Sequence, residues 1–163
     1  MDQDTRPFRP CVGIVLLNSR GQVLVGARND ISGDHWQMPQ GGIDSGEEAY
    51  EAALREMEEE IGTRNAEIVG ELSNWIYYRF PPELSLTAWE GRYQGQMQRW
   101  FAFRFLGEDS EINIETDHPE FKAWKWAELE NLPTETIEFK RAAYEKIRDG
   151  FRDLVERLNR KDF

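Results

Sequence analysis

Gly41-Gly42-Ile43-Asp44-Ser45-Gly46-Glu47-Glu48-Ala49-Tyr50-Glu51-Ala52-Ala53-Leu54-Arg55-Glu56-Met57-Glu58-Glu59-Glu60-Ile61-Gly62 reads as a glycine turn running into an amphipathic helix. Ser45 followed three residues later by Glu48 has the form of a capping box, which predicts a helix start near Gly46, and Gly62 supplies the stop. Tyr50, Ala53, Leu54, Met57 and Ile61 fall on one stripe at helical spacing, so that side is expected to pack on a core. Glu56, Glu59 and Glu60 stand at i, i+3 and i+4 and leave one face together. Like charges so placed cost an isolated helix about 0.2–0.5 kcal/mol per pair, and the macrodipole disfavours anions near a C-terminus. A bound hard cation would remove both penalties. Oxygen-only ligands select Mg²⁺, Mn²⁺ or Ca²⁺, and Ala49 and Ala52 beneath that face are expected to leave room for an ion and a phosphate. Arg55, among Glu48, Glu51 and Glu58, is expected to hold the acidic flank together. A Glu-rich helix is most often only a solvated face, so the spacing needs support from the wider pattern.

Outward from this segment, Cys11 to Leu17 reads as a buried strand, Asn18 to Gly21 as a turn, and Gln22 to Ala27 as the return strand of a hairpin. Arg28 to His35 reads as a loop, and Trp36 to Pro39 runs extended into Gln40-Gly41-Gly42. Strand-like stretches recur at Ala66 to Leu72, Trp75 to Phe80, Gln98 to Leu106 and Glu120 to Trp126. After Pro133 a last helix carries Tyr144, Ile147, Phe151, Leu154 and Leu158 on one face, with Gly150 weakening its middle. Strands, a helix, more strands and a closing helix predict an α/β sandwich with a mixed central sheet between helices.

The 163 residues show no composition break, so one domain over residues 1–163 is expected. Hydrophobic residues at 39%, with six Trp, exclude a disordered chain despite the charge. No run approaches the roughly 18 apolar residues a membrane span needs, and Met1-Asp2-Gln3-Asp4 is acidic where a secretory signal is basic; the cytoplasm is therefore the expected compartment. Cys11 is the only cysteine, which rules out an intramolecular disulfide and, without a partner chain, a thiolate zinc site, and it is expected to fill strand packing. A net charge of −11 argues against broad attraction to nucleic acid, so any phosphate-rich substrate must be met locally.

Gly41, five residues, Glu47, seven residues, Arg55-Glu56-Met57, one residue, Glu59-Glu60, one residue and Gly62 together resemble the signature of the Nudix hydrolases. Thr63 departs from it, standing where the family usually has an aliphatic residue at the helix exit. The resemblance implies Glu56, Glu59 and Glu60 as metal ligands, the Gly41 carbonyl as a further one, and Glu47 paired with Arg55 to brace the loop on the helix. It implies a Nudix-type α/β/α sandwich acting on phosphoanhydride bonds, with Mg²⁺ as cofactor and Mn²⁺ as a substitute.

The likeness runs from Arg9-Pro10-Cys11-Val12-Gly13 to Phe139-Lys140-Arg141. Through Trp36 to Ile43, Gly95 to Phe101, and Pro119-Glu120-Phe121 with Trp124 and Trp126, the chain is similar to the bacterial RNA pyrophosphohydrolase and dinucleoside polyphosphate hydrolase branch. Glu120 follows a polar loop, where a side chain can be offered to a site on the helix. The resemblance makes it the glutamate that completes the metal site or acts as base, and His118 beside it a loop residue. Arg9, Arg28, Arg99, Lys140 and Arg141 are candidate phosphate contacts, Tyr78 and Phe139 candidate stacking faces, and Gln96 a candidate edge reader. Arg28, Ile137, Phe139 and Lys140 match the family's substrate positions best.

The expected reaction has water attacking phosphorus while Glu56 or Glu120 takes its proton. The expected substrate is a 5′-triphosphate RNA end, with diadenosine tetraphosphate as the alternative. The sequence ends at Phe163 without a basic tail, which weighs toward small nucleotides. Rival readings are a non-catalytic polyphosphate sensor and an acidic interaction domain without ligand. A monomer or weak oligomer is expected, and the identity of any activating protein partner is not legible.

Overall fold

The computed structural model describes residues 4–29 and 33–159. Eight strands form one mixed sheet: β1 (Phe8–Leu17), β2 (Val23–Arg28), β3 (Trp36–Gln37), β4 (Gln40–Gly42), β5 (Ala66–Glu71), β6 (Ile76–Arg79), β7 (Gly95–Phe105) and β8 (Phe121–Ala127). The spine runs β3-β2-β1-β7-β5, with β4 pairing β1, β6 pairing β7 and β8 pairing β2. β1 and β7 are parallel over their length, from Phe8 opposite Gly95 to Leu17 opposite Arg104; the other pairings are antiparallel. Among the described residues there are also two long helices, α1 (Ala49–Ile61) and α4 (Arg141–Asn159), two short ones, α2 (Pro82–Ser85) and α3 (Leu132–Glu135), and short 3-10 turns between elements.

β1 is buried on both faces, and its alternation sorts the core into two layers. Val12, Ile14 and Leu16 meet Ala52, Ala53, Met57 and Ile61 of α1. Val15 and Leu17 face the other way, onto Tyr144, Ile147, Phe151 and Leu158 of α4. The expected α/β/α sandwich with a mixed sheet is therefore what the chain forms.

Several local expectations are corrected. Ser45 does not cap α1: the helix begins after Glu48, which makes no side-chain cap, because Glu47 is already engaged with Arg55 and with the Asp44 N–H in a turn whose Gly46 has φ +80°. At the other end Gly62, at φ +76°, closes the helix as expected, its N–H donating to the Glu58 carbonyl. Ala52 is fully buried and Ala49 packs on the same core layer, so they fill the helix–sheet contact rather than leave room for an ion. Tyr50 stays exposed at the edge of the stripe, its ring against Phe101 and Phe103.

β1 starts three residues before the expected Cys11, and β7 three before Gln98, since each supplies the other's hydrogen bonds there. Glu120 precedes β8 instead of opening it. Gly150 does not interrupt α4: a Cβ there would come within 2.6 Å of Leu72, so the glycine admits a close neighbour. The β1–β2 hairpin is as expected, with the Asn18 side-chain carbonyl accepting from the Arg20 and Gln22 N–H groups. Of the expected loop from Arg28 to His35, positions 30–32 lie outside the described residues. Among the described residues no helix is long and apolar enough to cross a membrane.

Candidate functional site

β4 runs antiparallel to β1, Gly41 opposite Val12, and lays its backbone against the carboxylate face of α1. The fit allows no side chain at position 41. A Cβ on Gly41 would stand 2.0 Å from the Glu56 carboxyl carbon. Above this floor opens a cavity of about 490 Å³. Glu56, Glu59, Glu60, Glu120, Gly41 and Gly42 line it together with Arg9, Arg28, Gln96, Lys140, Tyr78 and Phe139. The structure thus brings together all the sequence-derived ligand candidates and most of the substrate candidates. The exceptions are Arg99 and Arg141, described below, and Ile137, which lines a small neighbouring recess with Arg28, His35, Trp36 and Gln37.

Arg55 organises the acidic side. It donates two 2.9 Å bonds to Glu47 and one of 2.9 Å to the Gly42 carbonyl, while its Nη1 meets Glu56 at 2.8 Å and Glu59 at 3.3 Å. This is the expected brace of loop on helix. The expected contacts with Glu48, Glu51 and Glu58 are not made by Arg55, whose guanidinium turns toward the turn at Gly42; Glu58 pairs with Arg64 instead. Glu47 is held down at about 2 by its hydrogen bonds from Arg55 and from the Asp44 N–H.

Glu60 is nearly fully buried and accepts a 3.1 Å bond from the Gln40 N–H. Burial pushes its carboxyl well up, and the neighbouring Glu56 and Glu120 add to the rise. Glu56 is pushed up to about 7, again by burial first, with Arg55 opposing and Glu59 assisting. Burial thus drives two adjacent acids toward the neutral form, and a cation placed beside them would favour the ionised one. Among the described residues, no three His, Cys, Asp or Glu groups converge on one ion as the side chains stand, since Glu56 and Glu59 are drawn onto Arg55. The donors are nevertheless all oxygens, and the glycine at 41 keeps the floor beside them clear, which suits a hard divalent cation.

The rest of the lining is cationic and aromatic. Lys140 is buried, donates to Gln37 at 3.1 Å and lies 5.7 Å from the Tyr78 ring centre. Tyr78 and Phe139 tilt toward each other at 5.8 Å. Gln96 is buried and accepts from Gln98 at 3.0 Å, so its edge is partly committed to a glutamine ladder that ends on the Trp100 indole N–H. Arg99 and Arg141 are not in the cavity: Arg99 pairs with Glu71, and Arg141 donates to the Pro133 carbonyl. Cys11 is buried as expected, and burial pushes its thiol up to about 11. His118 lines a second depression with Glu56, Glu59, Glu60 and Glu120, on the outer side of the carboxylates.

Leu84, Ala88 and Trp89 also line the cavity, and sequence reasoning did not single them out. They belong to α2 and the turn Ala88–Gly91, and only the fold carries that lip to the mouth of the cavity.

A mixed sheet between two helices, with a glycine floor under three glutamates of one helix, defines a Nudix site, and the NUDIX domain model matches residues 7–147. The chain belongs to the Nudix family, whose hydrolases generally use divalent metal ions. It is 55% identical over 141 residues to the RNA pyrophosphohydrolase of Rhodospirillum rubrum, covering 86% of this chain and 85% of that one. It is 48% identical over 157 residues to the RNA pyrophosphohydrolase of Wolbachia pipientis subsp. Culex pipiens, covering 96% of each. Among solved structures, the E. coli dihydroneopterin triphosphate pyrophosphohydrolase shares the fold at TM-score 0.66 and 21% identity, covering 88% of this chain and 99% of that one.

Proposed function

We propose that the chain is an RNA 5′-pyrophosphohydrolase, converting a 5′-triphosphate RNA end to a monophosphate with release of pyrophosphate. The observation that carries this is the meeting, in one cavity, of a glycine and carboxylate cluster with cationic and aromatic side chains. Relatives at about half identity over most of the chain, named for that activity, support the choice of substrate. Mg²⁺ would be held by Glu56, Glu59 and Glu60, with Glu120 and the Gly41 carbonyl, and Mn²⁺ would substitute. When bound, it neutralises phosphate charge and makes a water more acidic.

The residues supply the rest. Arg9, Arg28 and Lys140 take up phosphate oxygens, and Tyr78 and Phe139 receive a base. Gln96 presents its amide edge to that base, and Ile137, in the recess next to Arg28, lies outside the cavity that receives it. Glu56 or Glu120 accepts the proton of the attacking water; the new P–O bond forms at one phosphorus while its bridging P–O bond breaks and pyrophosphate leaves. Glu47, Arg55 and Gly62 hold the helix and the glycine turn in register.

The test is a paired assay at equal concentration, triphosphorylated RNA oligomer against diadenosine tetraphosphate, with Mg²⁺ and with Glu59→Gln as control. Faster RNA turnover, lost in Glu59→Gln with the fold intact, is the expected result. Faster dinucleotide cleavage would assign the enzyme to dinucleoside polyphosphates, and no metal-dependent turnover of either would refute the proposal.

A further inference from the structure

The lip between β6 and β7 is built in an unusual backbone. Trp89, Glu90 and Gly91 hold φ of 48°, 60° and 73° in succession, and left-handed conformation in non-glycine residues costs on the order of 1 kcal/mol or more at each. The surroundings hold it there. Arg6 reaches under the lip and donates to the Ser85 carbonyl at 2.7 Å and the Gly91 carbonyl at 3.0 Å. The result is that a large aromatic side chain stands at the cavity mouth, partly exposed, in a fixed orientation.

Two groups meet that ring. Phe80 stacks on it at 5.4 Å with 18° between planes, and the Arg9 guanidinium lies 4.7 Å from its centre. Arg9 in turn rests on the glycine floor: a Cβ on Gly42 would stand 2.3 Å from its Nη2. It also approaches the Cys11 sulfur at 3.4 Å, and its positive charge acts on the Glu56 carboxylate. A guanidinium lying between a glycine turn and an indole, beside the carboxylates, is held where a phosphate would meet it.

We infer that Trp89 is a positioning residue of this enzyme, which, with Phe80 behind it, fixes the Arg9 guanidinium over the cavity floor for capture of the substrate's polyphosphate. The inference rests on the reading of the cavity as a polyphosphate site. It differs from a role for Trp89 as a face for the nucleobase, because its action passes through Arg9 and depends only on phosphate.

Trp89→Leu keeps apolar bulk without the π face, and Trp89→Phe keeps a smaller face. With triphosphorylated RNA, Trp89→Leu is expected to raise KM about 3- to 30-fold, the range a partly exposed cation–π contact supports, with kcat within about twofold. The Kd for inorganic pyrophosphate, which has no base, should rise in parallel, and Trp89→Phe should recover most of both. In an Arg9→Ala background, Trp89→Leu should add nothing further.

An unchanged KM, or the same loss with and without Arg9, would overturn the inference. So would weakened RNA binding with pyrophosphate affinity intact, which would make Trp89 a base contact. If the wild-type chain binds pyrophosphate through Arg9 and Trp89 yet hydrolyses no RNA, the proposed activity fails and the positioning role stands. A wild-type chain that binds no pyrophosphate removes both.

Discussion

Gly41→Ala separates chemistry from folding at this site. A methyl at position 41 would sit 2.0 Å from the Glu56 carboxyl carbon and 2.2 and 2.4 Å from its oxygens, where ordinary contact begins at 3.4 Å. The carboxylate must therefore retreat by about 1.4 Å, the difference between those distances. Backbone is not what obstructs the methyl, and Gly41 has no positive φ, so the strand can keep its pairing with Val12.

A displacement of about 1 Å in a catalytic group costs about 100-fold in rate. Gly41→Ala should accordingly lower kcat for pyrophosphate release from triphosphorylated RNA by roughly two orders of magnitude. Against this, the substitution stabilises through the unfolded chain by about 0.4–1 kcal/mol and loosens Glu56 from Arg55, so Tm should stay within about 4 °C. Both are measured on one preparation, by pyrophosphate release and thermal unfolding in the same buffer. Wild-type kcat in a folded Gly41→Ala protein would refute the placement of Glu56 in the reaction. A collapse of Tm would refute the claim that a side chain, not the sheet, absorbs the methyl.

Two further substitutions probe the frame around the site. Glu47 is held near 2 against an ordinary 4.5, so its contribution to stability is complete above about pH 4.5 and fades as pH falls toward 2. The Tm difference between wild type and Glu47→Gln should therefore be largest above pH 5 and shrink across that window; a gap constant with pH would deny the Arg55 brace. Gly13→Ala would press a methyl to within 2.4 Å of the fully buried Trp100 ring, which is already set edge-on to Tyr144. Such overpacking costs about 2 kcal/mol, or roughly 4–8 °C of Tm by thermal unfolding, and an unchanged Tm would show the core yields there.

Much of this arrangement was legible in the chain because its signals are local. Glu56, Glu59 and Glu60 share a face by helical spacing alone, and the hydrophobic run around β1 announces a strand buried on both sides. The capping box failed for a physical reason. Ser45 and Glu48 match the pattern, but Glu47 sits one residue away and its carboxylate is more strongly engaged by Arg55, which postpones the helix to Ala49. Ala52 shows the same limit: it lies near the glutamates along the helix, yet the sheet beneath claims it. Arg99 and Arg141 were indistinguishable from Arg9 as cations in a sequence; only their place in the fold separates them. Trp89 gave no signal, since its importance depends on Arg6, Arg9 and Phe80, none of them near it on a regular element.

The long parallel pairing of β1 with β7 bears on how the protein is made. Every partner in that pair is more than eighty residues away along the chain. During synthesis the β1–β2 hairpin and α1 can form early, from contacts close in sequence, but β1 stays an open edge until Phe105 has emerged. For that interval its apolar run has backbone donors and acceptors with no native neighbour, and this is the nascent chain's period of greatest exposure to self-association. Closure by β7 ends the exposure and, in the same step, brings Gln96 beside Arg9, so the catalytic cavity and protection from aggregation arrive together.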